Sequence, residues 1–97
     1  MYASIRRYPQ FVGSSEELRR RVEEGYVPII SRQPGFVAYY AVVTDDGVAA
    51  SVTIFQDRPG AEESNRAAAD IVRESLASLL PSPPETTAGE LIIARTA

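Results

Sequence analysis

Asn65 is the polar residue whose position says most about chemistry. The apolar positions Leu76, Val72, Ala69 and Ala68 fall at three- and four-residue steps, and the same stripe continued backward reaches residue 65. A carboxamide on that side of a helix must find partners or cost about 1–3 kcal/mol. Two arrangements satisfy it. In one, it faces a pocket and serves as donor and acceptor for a ligand carbonyl or an anion derived from dioxygen. In the other, it bonds to a neighbouring strand or loop, or meets solvent near the start of the helix. Ser64 precedes it and has no base to activate it, so it reads as a hydrogen-bonding pocket group rather than a nucleophile. Arg66 reads as a solvated or ion-paired residue, with anion orientation as the functional alternative.

Tyr39 and Tyr40 are adjacent in a strand-like run and must point to opposite faces. One phenol faces the helices and the other the opposite side of the sheet. Tyr26 sits on the apolar stripe of the first helix. Each ring either packs or offers its hydroxyl to a substrate. The carboxylates make no acid–base pair. Glu16, Glu17, Glu23 and Glu24 alternate with Arg19, Arg20 and Arg21 as a solvated helical face. Asp45 and Asp46 belong to a turn, and Asp57 caps a helix. Gly25, Gly35, Gly47 and Gly60 are scattered and build no phosphate loop.

Cysteine, histidine and tryptophan are all absent. That removes thiolate and imidazole metal sites, thiol nucleophiles, haem held by a proximal His, and Ser-His-Asp triads. Only carboxylates and carbonyls remain as metal ligands, which suit Mg or Ca rather than Zn or Cu; no metal and no cofactor are expected. The net charge of −3 argues against a nucleic-acid partner. All ten basic residues are Arg, a pattern that fits coding bias better than selection for guanidinium. No apolar run approaches the ~20 residues that span a bilayer, and Met1 is followed at once by alternating residues. No membrane partner and a cytoplasmic location are therefore expected. The 97 residues suit one domain, 1–97.

The elements that must position these groups follow from pattern. Residues 2–8 alternate as a strand, with Ala3 and Ile5 on one face and Tyr2, Ser4 and Arg6 on the other. Ser14 and Glu17 form a capping box. Leu18, Val22, Tyr26, Ile29 and Ile30 make the buried stripe of a helix that Pro28 kinks and Pro34-Gly35 stops. Two apolar strands, 36–43 and 48–56, flank Asp45-Asp46-Gly47, a hairpin signal. With Asp46-Gly47 as a two-residue turn, Tyr40 stands opposite Thr53 and Ala38 opposite Phe55. A second helix runs from Asp57 and Pro59 to about Leu80 on the stripe Ala68, Ala69, Val72, Leu76, Leu79 and Leu80. After a Pro-rich break and a loop at 86–89, residues 90–95 form the last strand.

The order β-α-β-β-α-β predicts an α+β, ferredoxin-like fold: a four-stranded antiparallel sheet with both helices on one face. Residues 36–43 and 48–55 are apolar on both faces, and two helices cover only one. A large bare apolar face is seldom left to solvent. A homodimer packed sheet to sheet is therefore expected.

Gln33-Pro34-Gly35-Phe36 closing a helix, the hairpin, and Phe55-Gln56-Asp57 leading into a second helix resemble the antibiotic biosynthesis monooxygenase family. The resemblance spans nearly the whole chain. It implies a dimeric α/β barrel with a small apolar pocket in each subunit between sheet and helices. Some members oxidise aromatic polyketides with dioxygen and no cofactor, relatives degrade haem, and many have no assigned activity. Many members carry a Trp shortly before an Asp at the end of the third strand; here Phe55 precedes Asp57. Many also place a His early in the second helix, at the position of Ser64 here. The resemblance thus implies a small apolar or aromatic ligand near Asn65, Phe55, Tyr40, Tyr39, Tyr26 and Ser64, and disfavours haem degradation. A non-catalytic ligand-binding or assembly module is the alternative.

Overall fold

The computed structural model describes residues 1–97. Strand β1 (Tyr2–Tyr8) leads to helix α1 (Ser15–Gly25), a short helix α2 (Val27–Ile30), and strands β2 (Phe36–Val43) and β3 (Ala49–Phe55). Helix α3 (Arg58–Ile71) continues into a wider π-helical turn (Val72–Leu76), and strand β4 (Glu85–Glu90) completes the sheet. The strand order is β2-β3-β1-β4, antiparallel throughout. This is the ferredoxin-like α+β arrangement that the pattern predicts.

The caps fall where the sequence puts them. Ser14 Oγ accepts from Glu17 N at 3.1 Å, and the Asp57 carboxylate accepts from Gly60 N at 2.9 Å. The Glu17 carboxylate pairs with Arg21 at 3.2 Å. Pro28 lies in the first turn of α2, where its missing N–H removes no helical bond, so the chain breaks at Tyr26 and restarts. That restart turns Ile29 out to solvent, against its expected place in the buried stripe, while Tyr26 and Ile30 stay buried.

The second helix also departs from its expected stripe. Ala61, Ser64, Ala68 and Ile71 are buried, and Ala69 is exposed. The next buried residue is Leu76. Five residues on an ideal α-helix would swing it about 140° off the buried face. The π-helical turn supplies the wider spacing and returns Leu76 to the core.

Two registers differ from expectation. Tyr39, not Tyr40, stands opposite Thr53, and Ala38 stands opposite Ile54, with a bulge between Phe36 and Ala38 that leaves Phe36 opposite Phe55. The hairpin loop is longer than two residues. Thr44 Oγ1 accepts from Val48 N at 3.0 Å and faces the Asp46 carboxylate, and Thr44 N donates to Val48 O at 2.8 Å. Gly47 takes the left-handed conformation that closes it, at φ +84°.

The last strand is Glu85–Glu90 rather than 90–95. Strand β1 offers pairing positions only from Tyr2 to Arg7, and Arg7 is already matched by Glu85. Leu91 N reaches Met1 O at 2.9 Å, so Ile92 and Ile93 run past the end of β1 and stay exposed. No helix is long and apolar enough to cross a membrane.

Candidate functional site

The helix-facing side of the sheet is unusually polar. Read across the strands it carries Tyr39, Thr53 and Ser4 in one row, then Ala41, Ser51 and Arg6, then Val43, Ala49 and Tyr8. Ser4, Arg6, Ser51, Thr53 and Ser64 are all buried. The aliphatic residues of β1 face the other way, with Ile5 45% exposed.

Between this face and the helices lies a cavity of about 850 Å³ that opens along the edge strand β2. Its volume falls within the range usual for small-molecule sites, about 300–1,000 Å³. Tyr8, Tyr26 and Tyr39 line it, with Val22, Phe36 and Leu76 among its apolar walls. The Tyr26 and Tyr39 rings pack in a tilted contact, centroids 5.3 Å apart. Glu16, Arg19 and Glu23 stand at the mouth, where Arg19 bridges both carboxylates.

The three phenols are held neutral. Burial pushes Tyr39 well above its usual pKa, and the neighbouring Tyr26 adds to the shift while Ser51 opposes it. Burial likewise raises Tyr26 and Tyr8, against the nearby positive charge of Arg6.

Arg6 is the one charged side chain buried in the molecule, at 5% exposure. Its Nη2 donates to the Asn65 main-chain carbonyl at 2.8 Å. Its Nε and Nη1 are buried without any hydrogen-bond partner, and no carboxylate pairs with it. Sequence reasoning missed this residue. The available signal was parity: Arg6 shares a face with Tyr2, Ser4 and Tyr8, and Ile5 with Ala3. Hydropathy alone would bury the Ile5 face beneath the helices, and the fold does the opposite.

The candidate residues named from sequence separate into two groups. Tyr26 and Tyr39 meet in the cavity. Tyr40, at the edge of the cavity mouth, points to the open face of the sheet and is 60% exposed. Phe55 is completely buried and packs edge-on against Phe36, centroids 5.8 Å apart. Ser64 is buried between α3 and the sheet. Asn65 is half-buried, and its Nδ2 donates to Ser4 Oγ at 3.2 Å. Phe55, Ser64 and Asn65 do not line the cavity. Arg66 is exposed and paired with Glu63.

Solved structures share this architecture over nearly the full chain. The NE2512 protein of unknown function from Nitrosomonas europaea superposes with a TM-score of 0.79 at 22% identity, covering 99% of this chain and 93% of its own. The monooxygenase from the gene ActVA-Orf6 of Streptomyces coelicolor, solved with the ligand nanaomycin D, gives 0.75 at 19% identity, covering 99% and 91%. SnoaB, a cofactor-independent oxygenase from Streptomyces nogalater, gives 0.70 at 17%, covering 99% and 94%. The chain has the antibiotic biosynthesis monooxygenase fold. No family model matches the sequence, and no curated protein is significantly similar to it. As this chain builds the antibiotic biosynthesis monooxygenase fold, Phe55 closes the end of β3 as core, and the cavity's polar groups come from Tyr8, Tyr26 and Tyr39 instead.

Proposed function

We propose that the protein is a homodimeric member of the antibiotic biosynthesis monooxygenase type that binds a compact apolar or aromatic molecule in the cavity between sheet and helices. The observation that carries this reading is the cavity: about 850 Å³, walled by apolar side chains and three neutral phenols. An aromatic guest would pack on Tyr26 and Tyr39, and their hydroxyls would donate to its oxygens. In cofactor-free oxygenation the guest itself, as an electron-rich anion, passes an electron to dioxygen. The chain's part is to exclude water, orient the guest and stabilise its oxyanion.

The dimer reading rests on the open face of the sheet, where Ile5, Tyr40 and Val42 are exposed together at 45%, 60% and 59%. Such a face is seldom left to solvent.

One observation favours a non-catalytic binding module. The only carboxylates at the cavity, Glu16 and Glu23, are at its mouth and bridged by Arg19, so no free carboxylate base stands inside. Oxygen uptake separates the two. Purified protein is incubated with a panel of hydroxyquinones and phenols while dissolved oxygen and ligand binding are followed. Oxygen consumption above the protein-free rate supports the monooxygenase. Saturable binding without consumption supports the module, and absence of both removes the cavity as a ligand site.

A further inference from the structure

Arginine cannot escape burial by losing its proton, because its pKa stays above about 12 in proteins. A buried guanidinium therefore needs a negative partner, and its absence is strongly destabilising. Arg6 has one well-aligned hydrogen bond, to a neutral carbonyl, and its Nε and Nη1, buried without such a bond, have only the neutral phenols of Tyr8 and Tyr26 beside them. No carboxylate reaches it. The phenols beside it do not supply the charge either, because burial raises the pKa of Tyr8, Tyr26 and Tyr39. No group of this chain supplies the negative charge.

Arg6 does not itself line the cavity, but its neighbours do. Arg6 stands directly opposite Ser51 in the β1–β3 register, and Ser51, Tyr8, Tyr26 and Tyr39 all line the cavity wall. We propose that Arg6, with the phenols of Tyr8, Tyr26 and Tyr39 in front of it, forms a receptor for the carboxylate of an aromatic acid. A carboxylate is ionised at neutral pH, whereas a free phenol is not. The phenol hydroxyls donate to its oxygens and the guanidinium balances its charge, while the ring lies against the apolar and aromatic walls. The inference rests on the aromatic-ligand reading above and adds the charge of the ligand and the residue that selects it.

Matched probes test it on the unaltered protein. Calorimetric titration with 2-naphthoate is compared with 2-naphthamide, its neutral analogue of similar shape, and with inorganic phosphate. The expected result is that 2-naphthoate binds about tenfold or more tighter than the amide, as a charge-assisted hydrogen bond would give, and that phosphate binds weakly or not at all. Arg6→Met keeps the length of the side chain and removes the charge. It is expected to melt at or above the wild-type temperature and to bind the two naphthyl probes equally. Equal binding of naphthoate and amide by the wild-type protein overturns the Arg6 receptor and leaves the aromatic cavity standing. Phosphate binding as tight as naphthoate overturns the aromatic-acid class. Binding of neither naphthyl probe overturns both readings. The wild-type comparison decides even where Arg6→Met fails to fold.

Discussion

The Nη2 of Arg6 donates to the main-chain carbonyl of Asn65 at 2.8 Å, and the Asn65 side chain returns a bond to Ser4 Oγ at 3.2 Å. Two residues of β1 thus hold the same point on α3 through its backbone and its side chain. Only the second bond depends on the identity of residue 65. Asn65→Leu is therefore expected to keep the Arg6 contact and lose the Ser4 partner, at a cost of about 1 kcal/mol. Ser4→Ala should cost a similar amount, and the double variant less than the sum of the two. Urea denaturation of the four proteins measures the coupling; strict additivity would show that the amide and the hydroxyl do not act together.

Phe55 is completely buried, and its ring meets Phe36 edge to face. Phe55→Ala should lose about 3–5 kcal/mol by denaturant unfolding, as truncation of a packed core ring does. Gly60 leans on the same ring. A Cβ there would stand 3.2 Å from Phe55 Cδ1 and 3.3 Å from the Pro34 carbonyl. Helix propensity alone would make Gly60→Ala stabilising by about 1 kcal/mol. Because the Pro34 carbonyl is backbone and cannot step aside cheaply, the variant is expected to melt below the wild type.

Most of the fold was legible because its signals are local and repeat. Alternation located β1, short apolar runs located β2 and β3, Ser14 and Asp57 marked the caps, and Asp46-Gly47 marked the hairpin. What failed depended on partners far away in sequence. The apolar run 91–93 looks like a strand, but β1 has no residues left to pair with it once Arg7 meets Glu85. The one-residue slip in the hairpin comes from the Thr44 hydroxyl, whose bond to Val48 N lengthens the loop. The site was harder still. Tyr26 was visible on a buried stripe, and alternation put one of Tyr39 and Tyr40 under the helices without saying which. Arg6 was not, because no local pattern says that the helices cover the polar side of a strand whose other side is aliphatic.

Val42 separates the dimer from the fold. It is 59% exposed on the open face of β2, so a charge there meets water in a lone chain. Val42→Asp should leave the circular dichroism of the chain unchanged. In a sheet-to-sheet dimer the same carboxylate is buried without a partner, at a cost of several kcal/mol. Sedimentation velocity is expected to show a dimer for the wild type and a monomer for the variant. A variant with the wild-type mass at all concentrations would remove this face as the dimer contact.

Tyr39 links the cavity to pH. Its folded pKa is raised from 10.0, chiefly by burial, and those of Tyr8 and Tyr26 are raised in the same direction. The unfolded chain has ordinary phenols that ionise near pH 10. Below that pH both states hold their protons, so these groups give stability no slope. Above it the unfolded state releases protons that the folded state keeps, so stability falls as pH rises. The melting temperature is thus expected to be flat with respect to these phenols through neutral pH and to drop above about pH 10. Tyr39→Phe should flatten part of that drop, since it has no proton to lose in either state. The Tyr39 phenolate signal, read as the wild-type ultraviolet spectrum minus that of Tyr39→Phe, should appear only where circular dichroism shows unfolding. Ionisation of Tyr39 near pH 10 in a fully folded protein would place that phenol in solvent and not against the buried wall of the cavity.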